Sequence, residues 1–225
     1  MAYRIVKRAL DIIFSALAIL VFWPFLLLVA LLIKIDSKGP AVYKQERVGR
    51  NEKIFFCYKF RTMRTDAPVC STNQMDADRY ITRAGRIIRR LSIDETMQFF
   101  NILRGDMSFI GPRPVIPAEY ELNDLRMKNG AYSIRPGISG WAQVNGRDVI
   151  SVRKKAEFDG YYASHLSFGL DFKIFWLTLL TVFTGRGYHE GAKPPKEAPE
   201  KMHTPPGPVR EEPTDQDGIQ QLKEE

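Results

Sequence analysis

The longest apolar segment lies near the start of the chain. Ile12–Ile33 contains 22 consecutive residues without a charge, between Asp11 and Lys34. As a helix it would be about 33 Å long, which is enough to cross a hydrocarbon core of about 30 Å. No small-residue cleavage site follows it, so the pattern favours a membrane segment over a secretory signal peptide.

Two features argue against a simple span of the bilayer. Pro24 lies in the middle of the segment, where proline removes a backbone hydrogen bond and clashes with the preceding turn. Basic residues flank both ends: Arg4, Lys7 and Arg8 precede the segment, and Lys34, Lys38, Lys44, Arg47 and Arg50 follow it. The positive-inside rule then places both ends in the cytoplasm. A helix broken at Pro24 that returns within one leaflet satisfies both features, and a kinked single span is the alternative.

After this segment the pattern predicts a small α+β body that is mainly helical. Aromatic and β-branched residues at 41–47 and 53–61 predict a β-hairpin. Helical spacing predicts helices over 81–91, 92–103, 119–128 and 151–165. Residues 64–80 are polar and loop-like, and glycine and proline predict ordered loops over 105–117 and 135–146. We find no internal repeat and no second domain.

The C-terminal third ends in a further apolar stretch and a polar tail. Within a predicted helix over 171–184, the 11 residues Ile174–Thr184 are uncharged, too few to cross a bilayer. This helix belongs either to the core or to the membrane interface, where Trp176 is favourable. Residues 186–225 contain 7 of the 14 prolines, a composition typical of disordered chain.

Overall composition conceals an uneven charge distribution. The chain has 44% apolar residues and a net charge of +7, which excludes a polytopic transporter. The tail holds 6 of the 33 basic and 9 of the 26 acidic residues. Residues 1–185 therefore contain 27 basic and 17 acidic residues and have a net charge of +10. Such a body could recruit anionic lipid or nucleic acid. Nucleic acid is not expected as a partner, because no recognised motif or stacking platform is present.

Common metal and nucleotide motifs are missing from the sequence. Cys57 and Cys70 do not form a zinc spacing, and the three histidines are scattered. Neither a P-loop nor a dinucleotide-binding glycine motif occurs. Carboxylates set among arginines remain, with Asp94 and Glu95 following two arginines closely.

Asp94 and Glu95 allow two interpretations. Ser92 and Glu95 fit a capping box, which the residues alone favour. Adjacent carboxylates at a helix start could instead share Mg²⁺ with a phosphate, or one could be the nucleophile of phosphoryl transfer. Either role of the carboxylates requires nearby cations that neutralise the phosphate of the substrate. The candidates are Lys59, Arg61, Arg89, Arg113 and Arg147, each of which alone is more typical of a solvated charge.

The segment Gly111-Pro112-Arg113-Pro114 is more specific than any single charge. Two prolines fix the backbone around Arg113, which limits the entropy lost when it binds an anion. A rigid turn whose arginine pairs with a carboxylate explains the pattern equally well.

Together these segments resemble the monotopic phosphoglycosyl transferases, also called bacterial sugar transferases. The resemblance covers about residues 1–185. It rests on the order and spacing of KRALD (7–11), YKFRTM (58–63), LSIDE (91–95), NILRGDMSFIGPRP (101–114) and RPGISGWAQVNGR (135–147), and on the D-x-YY and LDFKIFWLT stretches that follow.

The resemblance implies three regions. Residues 1–36 would form a proline-broken re-entrant membrane helix, residues 37–185 a small catalytic sugar transferase domain with a β-hairpin and interfacial amphipathic helices, and residues 186–225 a disordered tail. The protein would lie on the cytoplasmic face of the bacterial inner membrane, with both termini in the cytoplasm and phospholipid as a partner. A homodimer is left open.

The family moves a phosphosugar from a UDP-sugar to polyprenyl (undecaprenyl) phosphate and releases UMP, the first membrane step of glycoconjugate assembly. By resemblance, Asp94 would form a covalent phosphosugar intermediate, and Glu95 with Asp94 would hold Mg²⁺. The substrate-binding positions would be Lys59, Arg61, Arg89, Pro112, Arg113, Pro114, Gln143 and Arg147.

The sequence departs from the family at two points and in length. Trp23-Pro24 replaces a common Ser-Pro, and Thr96-Met97 replaces a common Leu-Pro after the acidic pair. The sequence does not contain the four-span N-terminal domain of larger relatives, so the resemblance would be to a short form of the family. The alternative function is a membrane-anchored basic scaffold without turnover, which would tolerate Asp94→Asn and bind anions in a salt-sensitive way.

Overall fold

The computed structural model describes residues 2–67, 79–146 and 150–184, with no side-chain placement for 182–184. The predicted disordered tail therefore lies outside the described residues. The elements are α1 (Ala2–Asp36), β1 (Val42–Val48), β2 (Ile54–Phe60), α2 (Arg83–Arg90), α3 (Gln98–Arg104), β3 (Ser108–Ile110), α4 (Tyr120–Lys128), β4 (Gly137–Ser139), α5 (Trp141–Val144), α6 (Val152–Ser164) and α7 (Phe168–Thr184). The predicted class, mainly helical with a small β-hairpin, is confirmed.

Helix α1 is long and apolar enough to cross a membrane. Its most apolar 18 residues have a mean hydropathy of 2.9, and only 17% of them are buried. Large side chains such as Leu20, Val21 and Leu28 are more than half exposed, which is unfavourable in water and favourable in lipid. Helical residues continue through Pro24. The predicted break therefore does not divide α1 into two helices.

The first turns of α1 are attached to the body by buried acidic groups. Asp171 of α7 accepts hydrogen bonds from the Tyr3 hydroxyl at 2.6 Å, from Lys7 Nζ at 2.7 Å and from the Tyr162 hydroxyl at 2.6 Å. Asp11 of α1 accepts from the Ser108 hydroxyl at 3.1 Å. The N-terminal end of α1 is thus fixed to both α7 and β3.

The last turns of α1 pack against the hairpin and α2. Val29 and Ile33 are buried in a cluster with Phe60 and Ile88. Beyond the helix, the Arg61 guanidinium donates to the carbonyls of residues 37 and 38, both at 2.7 Å. These bonds fix the backbone that directly follows α1 to the end of the hairpin.

We expect Asp171→Asn to lower stability, because three donors then lose a charged acceptor. The asparagine carbonyl can still accept one or two bonds, so the loss should be about 1–2 kcal/mol. Thermal unfolding of the full chain in a nonionic detergent measures it. Asp124→Asn, at an exposed pair on α4, is the matched control. An Asp171→Asn protein as stable as the control would contradict a supporting role for this network.

The structure contains two short sheets, of which the β1–β2 hairpin was predicted from the sequence and the β3–β4 pair was not. β1 and β2 pair antiparallel from Val42↔Phe60 to Val48↔Ile54, as predicted. β3 and β4 pair in parallel within segments predicted to be loops, and α5 lies in the second of those segments. A Cβ on Gly137 would lie 2.1 Å from the Gly111 nitrogen, so this close approach requires glycine.

The other helices follow their predicted periodicity. α2, α4 and α6 lie within the predicted ranges 81–91, 119–128 and 151–165, and α7 begins three residues earlier than predicted. Ile174 of α7 is completely buried, whereas another face of the same helix is apolar and exposed. The exposed residues are Phe168, Phe172, Phe175, Trp176 and Leu180.

Candidate active site

The acidic pair follows a strained backbone position. Ser92 adopts φ 54° and ψ 24°, a left-handed conformation that costs about 1 kcal/mol or more in a residue other than glycine. Its side chain caps nothing, and residues 93–97 form a 3₁₀ helix before α3 begins. The capping-box interpretation and the continuous helix over 92–103 are therefore wrong, since the Glu95 carboxylate is used elsewhere.

Glu95 joins two separate segments of the body. Its Oε1 accepts from Lys59 Nζ of β2 at 2.8 Å and from Arg113 Nη2 at 2.9 Å. Burial alone would raise the pKa of this carboxyl, but the charges and hydrogen bonds of Arg113 and Lys59 outweigh it. The pKa of Glu95 is thus held well below its usual range, and the group is ionised.

Asp94 has a different environment from its neighbour. Within the part of the chain that the structure describes, its carboxylate accepts no hydrogen bond. Burial raises its pKa from 3.8 to about 6; the Glu95 charge adds to the rise, while Lys59, Arg89 and Arg113 oppose it. Asp94 is consequently a partly desolvated anion above pH 6 whose oxygens are available for other bonds.

The loop that carries Arg113 is fixed by hydrogen bonds to its backbone carbonyls. The Arg113 carbonyl accepts from Arg126 Nη1 of α4 at 2.8 Å, and the Pro114 carbonyl accepts from Arg47 Nη1 of β1 at 3.0 Å. The Arg113 side chain remains 39% exposed although it pairs with Glu95. Both interpretations of this segment therefore contribute, because the turn is rigid and its cation is still accessible to an anion.

Arg126 is itself held by a buried ion pair with α6. Asp159 Oδ2 accepts from Arg126 Nε at 2.9 Å and Nη2 at 2.5 Å, and both side chains are almost completely buried. Burial raises the pKa of Asp159, which the adjacent Arg126 charge opposes. These roles of Arg47, Arg126 and Asp159 were not predicted from the sequence. Arg126 could have been recognised as a charge four residues after Leu122, on the buried face of α4.

The structure places the other predicted residues as follows. Arg89 Nε donates to the Thr62 hydroxyl at 2.8 Å, and its charge acts on Asp94. The Pro112 carbonyl accepts from the Gly137 nitrogen at 2.9 Å. Arg61 does not join these contacts and holds the end of α1 instead. Arg147 lies outside the described residues.

Gln143 of α5 has an unusual environment. Both polar atoms of its side-chain amide are buried and have no hydrogen-bond partner. A Cβ on Gly140 would lie 2.8 Å from Gln143 Oε1 and 2.1 Å from the Gly111 carbonyl, so this amide is adjacent to the Arg113 loop. An unpaired buried amide is unfavourable and suits a position that receives a ligand or water.

The acidic pair suits a magnesium ion better than a structural metal. Among the described residues, no group of three or more histidine, cysteine, aspartate or glutamate side chains is arranged to hold a metal ion. Mg²⁺ takes one or two carboxylates together with substrate phosphate oxygens. Both Asp94 oxygens and Glu95 Oε2 accept no hydrogen bond from the described residues, so this donor set fits Mg²⁺.

Comparison with known proteins identifies the region that contains these features. The sequence model of a family described as bacterial sugar transferase matches residues 2–185. This span includes Lys59, the acidic pair, Arg113 and the long apolar helix α1.

Three curated relatives share about two fifths of the aligned residues. The UDP-N-acetylgalactosamine-undecaprenyl-phosphate N-acetylgalactosaminephosphotransferase of Aeromonas hydrophila is 42% identical over 191 residues, which cover 82% of this chain and 45% of that protein. The undecaprenyl-phosphate glucose phosphotransferase of Komagataeibacter xylinus is 43% identical, over 77% of this chain and 35% of its own length. The UDP-glucose:undecaprenyl-phosphate glucose-1-phosphate transferase of Caulobacter vibrioides is 41% identical, over 79% of this chain and 70% of its own length. The chain thus spans less than half the length of the first two.

Proposed function

This chain belongs to the bacterial sugar transferase family, and we propose that it moves a sugar phosphate from a UDP-sugar to undecaprenyl phosphate and releases UMP. The relatives from Aeromonas and Caulobacter bear names of this reaction type. The observation that carries the proposal is Asp94, an acid without a hydrogen-bond partner in the described chain, beside the ion cluster of Glu95, Lys59 and Arg113.

In the proposed first step, an oxygen of Asp94 attacks the β-phosphorus of the UDP-sugar. A bond forms between that oxygen and phosphorus, and the bond from phosphorus to the oxygen bridging the two phosphates breaks. UMP leaves with the bridging oxygen and both electrons of the broken bond. Arg113, already positioned by its backbone contacts, and Lys59 are suited to neutralise the phosphate oxygens.

In the proposed second step, a phosphate oxygen of undecaprenyl phosphate attacks the same phosphorus and the Asp94 carboxylate leaves. The product is undecaprenyl diphosphate sugar, and the free carboxylate is restored. Asp94 and Glu95 would hold Mg²⁺, which when bound neutralises charge on the substrate phosphates. Glu95 stays ionised throughout, since its partners keep its pKa low.

A panel experiment tests the activity itself. The full chain in detergent is incubated with Mg²⁺, undecaprenyl phosphate and a set of UDP-sugars, and UMP is measured. We expect release with at least one UDP-sugar, dependent on the lipid for multiple turnovers. No release from any UDP-sugar, together with salt-sensitive anion binding, would favour the scaffold function instead.

We expect the rate of UMP release to depend on the ionisation of Asp94. Its pKa in the folded protein is about 6, and only the carboxylate attacks, so the rate should rise with pH and reach a plateau above pH 6. At pH 5 it should be about tenfold below the plateau. Initial rates from pH 4.5 to 8 with saturating UDP-sugar measure this profile. A rate that stays constant down to pH 4.5 would contradict Asp94 as the attacking group.

We further propose that α1 enters the membrane and returns to the same face. Both halves of α1 contact the body: Arg8 donates to the Ile102 carbonyl of α3, and Phe100 of α3 packs against the cluster that contains Val29. A straight helix would place residues 8 and 29 about 32 Å apart. The return of both ends to one body supports a re-entrant helix. The exposed apolar face of α7 is suited to the membrane interface beside it.

Labelling of single cysteines tests this topology. Ala2→Cys and Pro40→Cys are introduced separately in a background lacking Cys57 and Cys70, and sealed inner-membrane vesicles are treated with a membrane-impermeant maleimide. Both residues are exposed beyond the apolar stretch. We expect labelling of both from the cytoplasmic face. Labelling from opposite faces would show that α1 spans the bilayer.

A further inference from the structure

A basic cleft lies beside the first turns of α1, apart from the acidic pair. It is a small cleft that is partly open to solvent. Its charged lining residues are Arg4, Lys7, Arg8, Asp11, Arg50 and Arg135. Lys59, Asp94, Glu95 and Arg113 do not line it. The cleft is therefore built from a different set of residues than the proposed transfer site.

Part of this charge is already used within the protein. Lys7 is paired with Asp171 at 2.7 Å, and Arg8 donates to the carbonyls of residues 102 and 103 at the end of α3. Asp11 accepts from the Ser108 hydroxyl and from the Phe109 nitrogen. Three of the six charged side chains, Lys7, Arg8 and Asp11, therefore have a structural role.

The remaining three cations are not compensated by these contacts. Arg4 and Arg50 have no side-chain partner among the described residues, and Arg135 uses only Nε, which donates to the Gly105 carbonyl at 2.7 Å. Burial lowers the pKa of Arg135, and the nearby charges of Arg8 and Arg50 lower it further. Concentrated positive charge of this kind is stabilised by a bound anion, for which the planar guanidinium is suited.

The position of the cleft indicates which anion. Lys7 and Arg8 of its lining precede Ile12, the first residue of the uncharged stretch, by five and four residues, or about 6–8 Å of helix. That distance is close to the depth of the polar headgroup layer on each side of the hydrocarbon core, which is about 5–8 Å. The apolar side chains of Ile110, Ile134 and Leu166 also line the cleft. A phosphate attached to a glycerol and acyl chains would match both kinds of surface.

We propose that this cleft binds the phosphodiester headgroup of an anionic phospholipid, with Arg4, Arg50 and Arg135 contacting the phosphate. The site is separate from sugar-phosphate transfer and does not depend on that activity. Occupation would fix the depth and rotation of the first turns of α1 at the membrane surface.

Direct binding tests the proposal without reference to transfer. The full chain in a nonionic detergent is titrated in a calorimeter with dihexanoyl phosphatidylglycerol, and in parallel with dihexanoyl phosphatidylcholine and with inorganic phosphate. We expect one phosphatidylglycerol per chain, bound at least about tenfold more tightly than either comparison compound.

Two double variants distinguish a site from general attraction to negative charge. Arg4→Gln with Arg50→Gln removes two exposed cations that hold no structural contact, and should weaken phosphatidylglycerol binding about tenfold or more. Lys34→Gln with Lys38→Gln removes equal charge at the other end of the apolar stretch, and should change binding by less than about twofold. Unchanged melting temperatures confirm that both variants fold.

Three results would overturn the proposal. Equal weakening in the two double variants would show general electrostatic attraction. Inorganic phosphate bound as tightly as phosphatidylglycerol would show a site for free anions and not for lipid. No measurable binding of phosphatidylglycerol to the unaltered chain would exclude the site altogether.

Discussion

Asp94→Asn should lower UMP release by at least about 10⁴-fold, the scale seen when the nucleophile of a covalent mechanism is removed. Asparagine preserves the shape of the side chain but has no anionic oxygen to attack phosphorus. The residual rate would reflect substrate positioning by Lys59 and Arg113, which the substitution leaves in contact with Glu95. The measurement is UMP release with the UDP-sugar that gives the highest rate.

A loss of folding can be separated from a loss of chemistry in this variant. Because the folded pKa of Asp94 is raised to about 6 from 3.8, its ionised form disfavours folding at higher pH. That penalty is fully present above pH 6 and disappears below about pH 4. Asp94→Asn should therefore melt at a higher temperature than the unaltered chain at pH 8. Inactivity together with raised stability would assign the effect to chemistry.

Asp124→Asn is the matched control, because it makes the same chemical change at an exposed aspartate paired with Lys128. It should retain the full rate. Incubation with the UDP-sugar alone, followed by acid quenching and intact mass measurement, should detect a sugar-phosphate adduct on the unaltered chain and none on Asp94→Asn. Full activity in Asp94→Asn would show that the assigned nucleophile is wrong.

Arg126→Met should lower the free energy of unfolding by about 3–5 kcal/mol, as expected when one partner of a buried ion pair is removed. Asp159 would remain buried without its cation, and its Oδ1 has no hydrogen-bond partner even in the unaltered protein. The same substitution frees the Arg113 carbonyl. Transfer should thus decline as well, since the Arg113 loop loses one of the two arginine side chains that bind its backbone carbonyls.

The double variant Arg126→Met with Asp159→Leu gives this prediction a second test. It removes both charges, so the chain should recover part of the stability lost in Arg126→Met. The recovery of transfer should be smaller, because the Arg113 carbonyl remains without its donor. Urea unfolding of the full chain in nonionic detergent provides the free energies.

Lys128→Met breaks an exposed pair on the same helix and should cost about 0.5 kcal/mol or less. If Arg126→Met were no more destabilising than this control, the buried pair would not support the loop.

Local patterns explain which elements could be predicted. The hairpin follows from two neighbouring runs of aromatic and β-branched residues, and α4 and α6 follow from helical spacing. The parallel pairing of β3 with β4 joins segments about 29 residues apart, each three residues long and bordered by glycine or proline. Strands this short are too brief to show an alternating pattern of apolar and polar residues. Their pairing is a non-local contact, so neither segment alone indicates that it will pair with the other.

The candidate site shows the same limit at the level of single residues. Asp94 and Glu95 could be recognised as an acidic pair, but local rules favoured a capping role because they do not include Lys59 and Arg113. Lys59 and Arg61 are two residues apart, so a continuous strand would direct both to one face. β2 ends at Phe60, and Arg61 instead reaches the end of α1.

The attachment of α1 to α7 has a consequence for biosynthesis. Tyr3 and Asp171 are 168 residues apart, yet they are joined by a hydrogen bond. At about 5–20 residues per second, a ribosome needs about 8–34 s to reach Asp171 after Tyr3 has been made. During that interval the emerging N-terminal segment lacks its acidic partner. The attachment of α1 to α7 can therefore form only after the chain has been synthesised as far as Asp171.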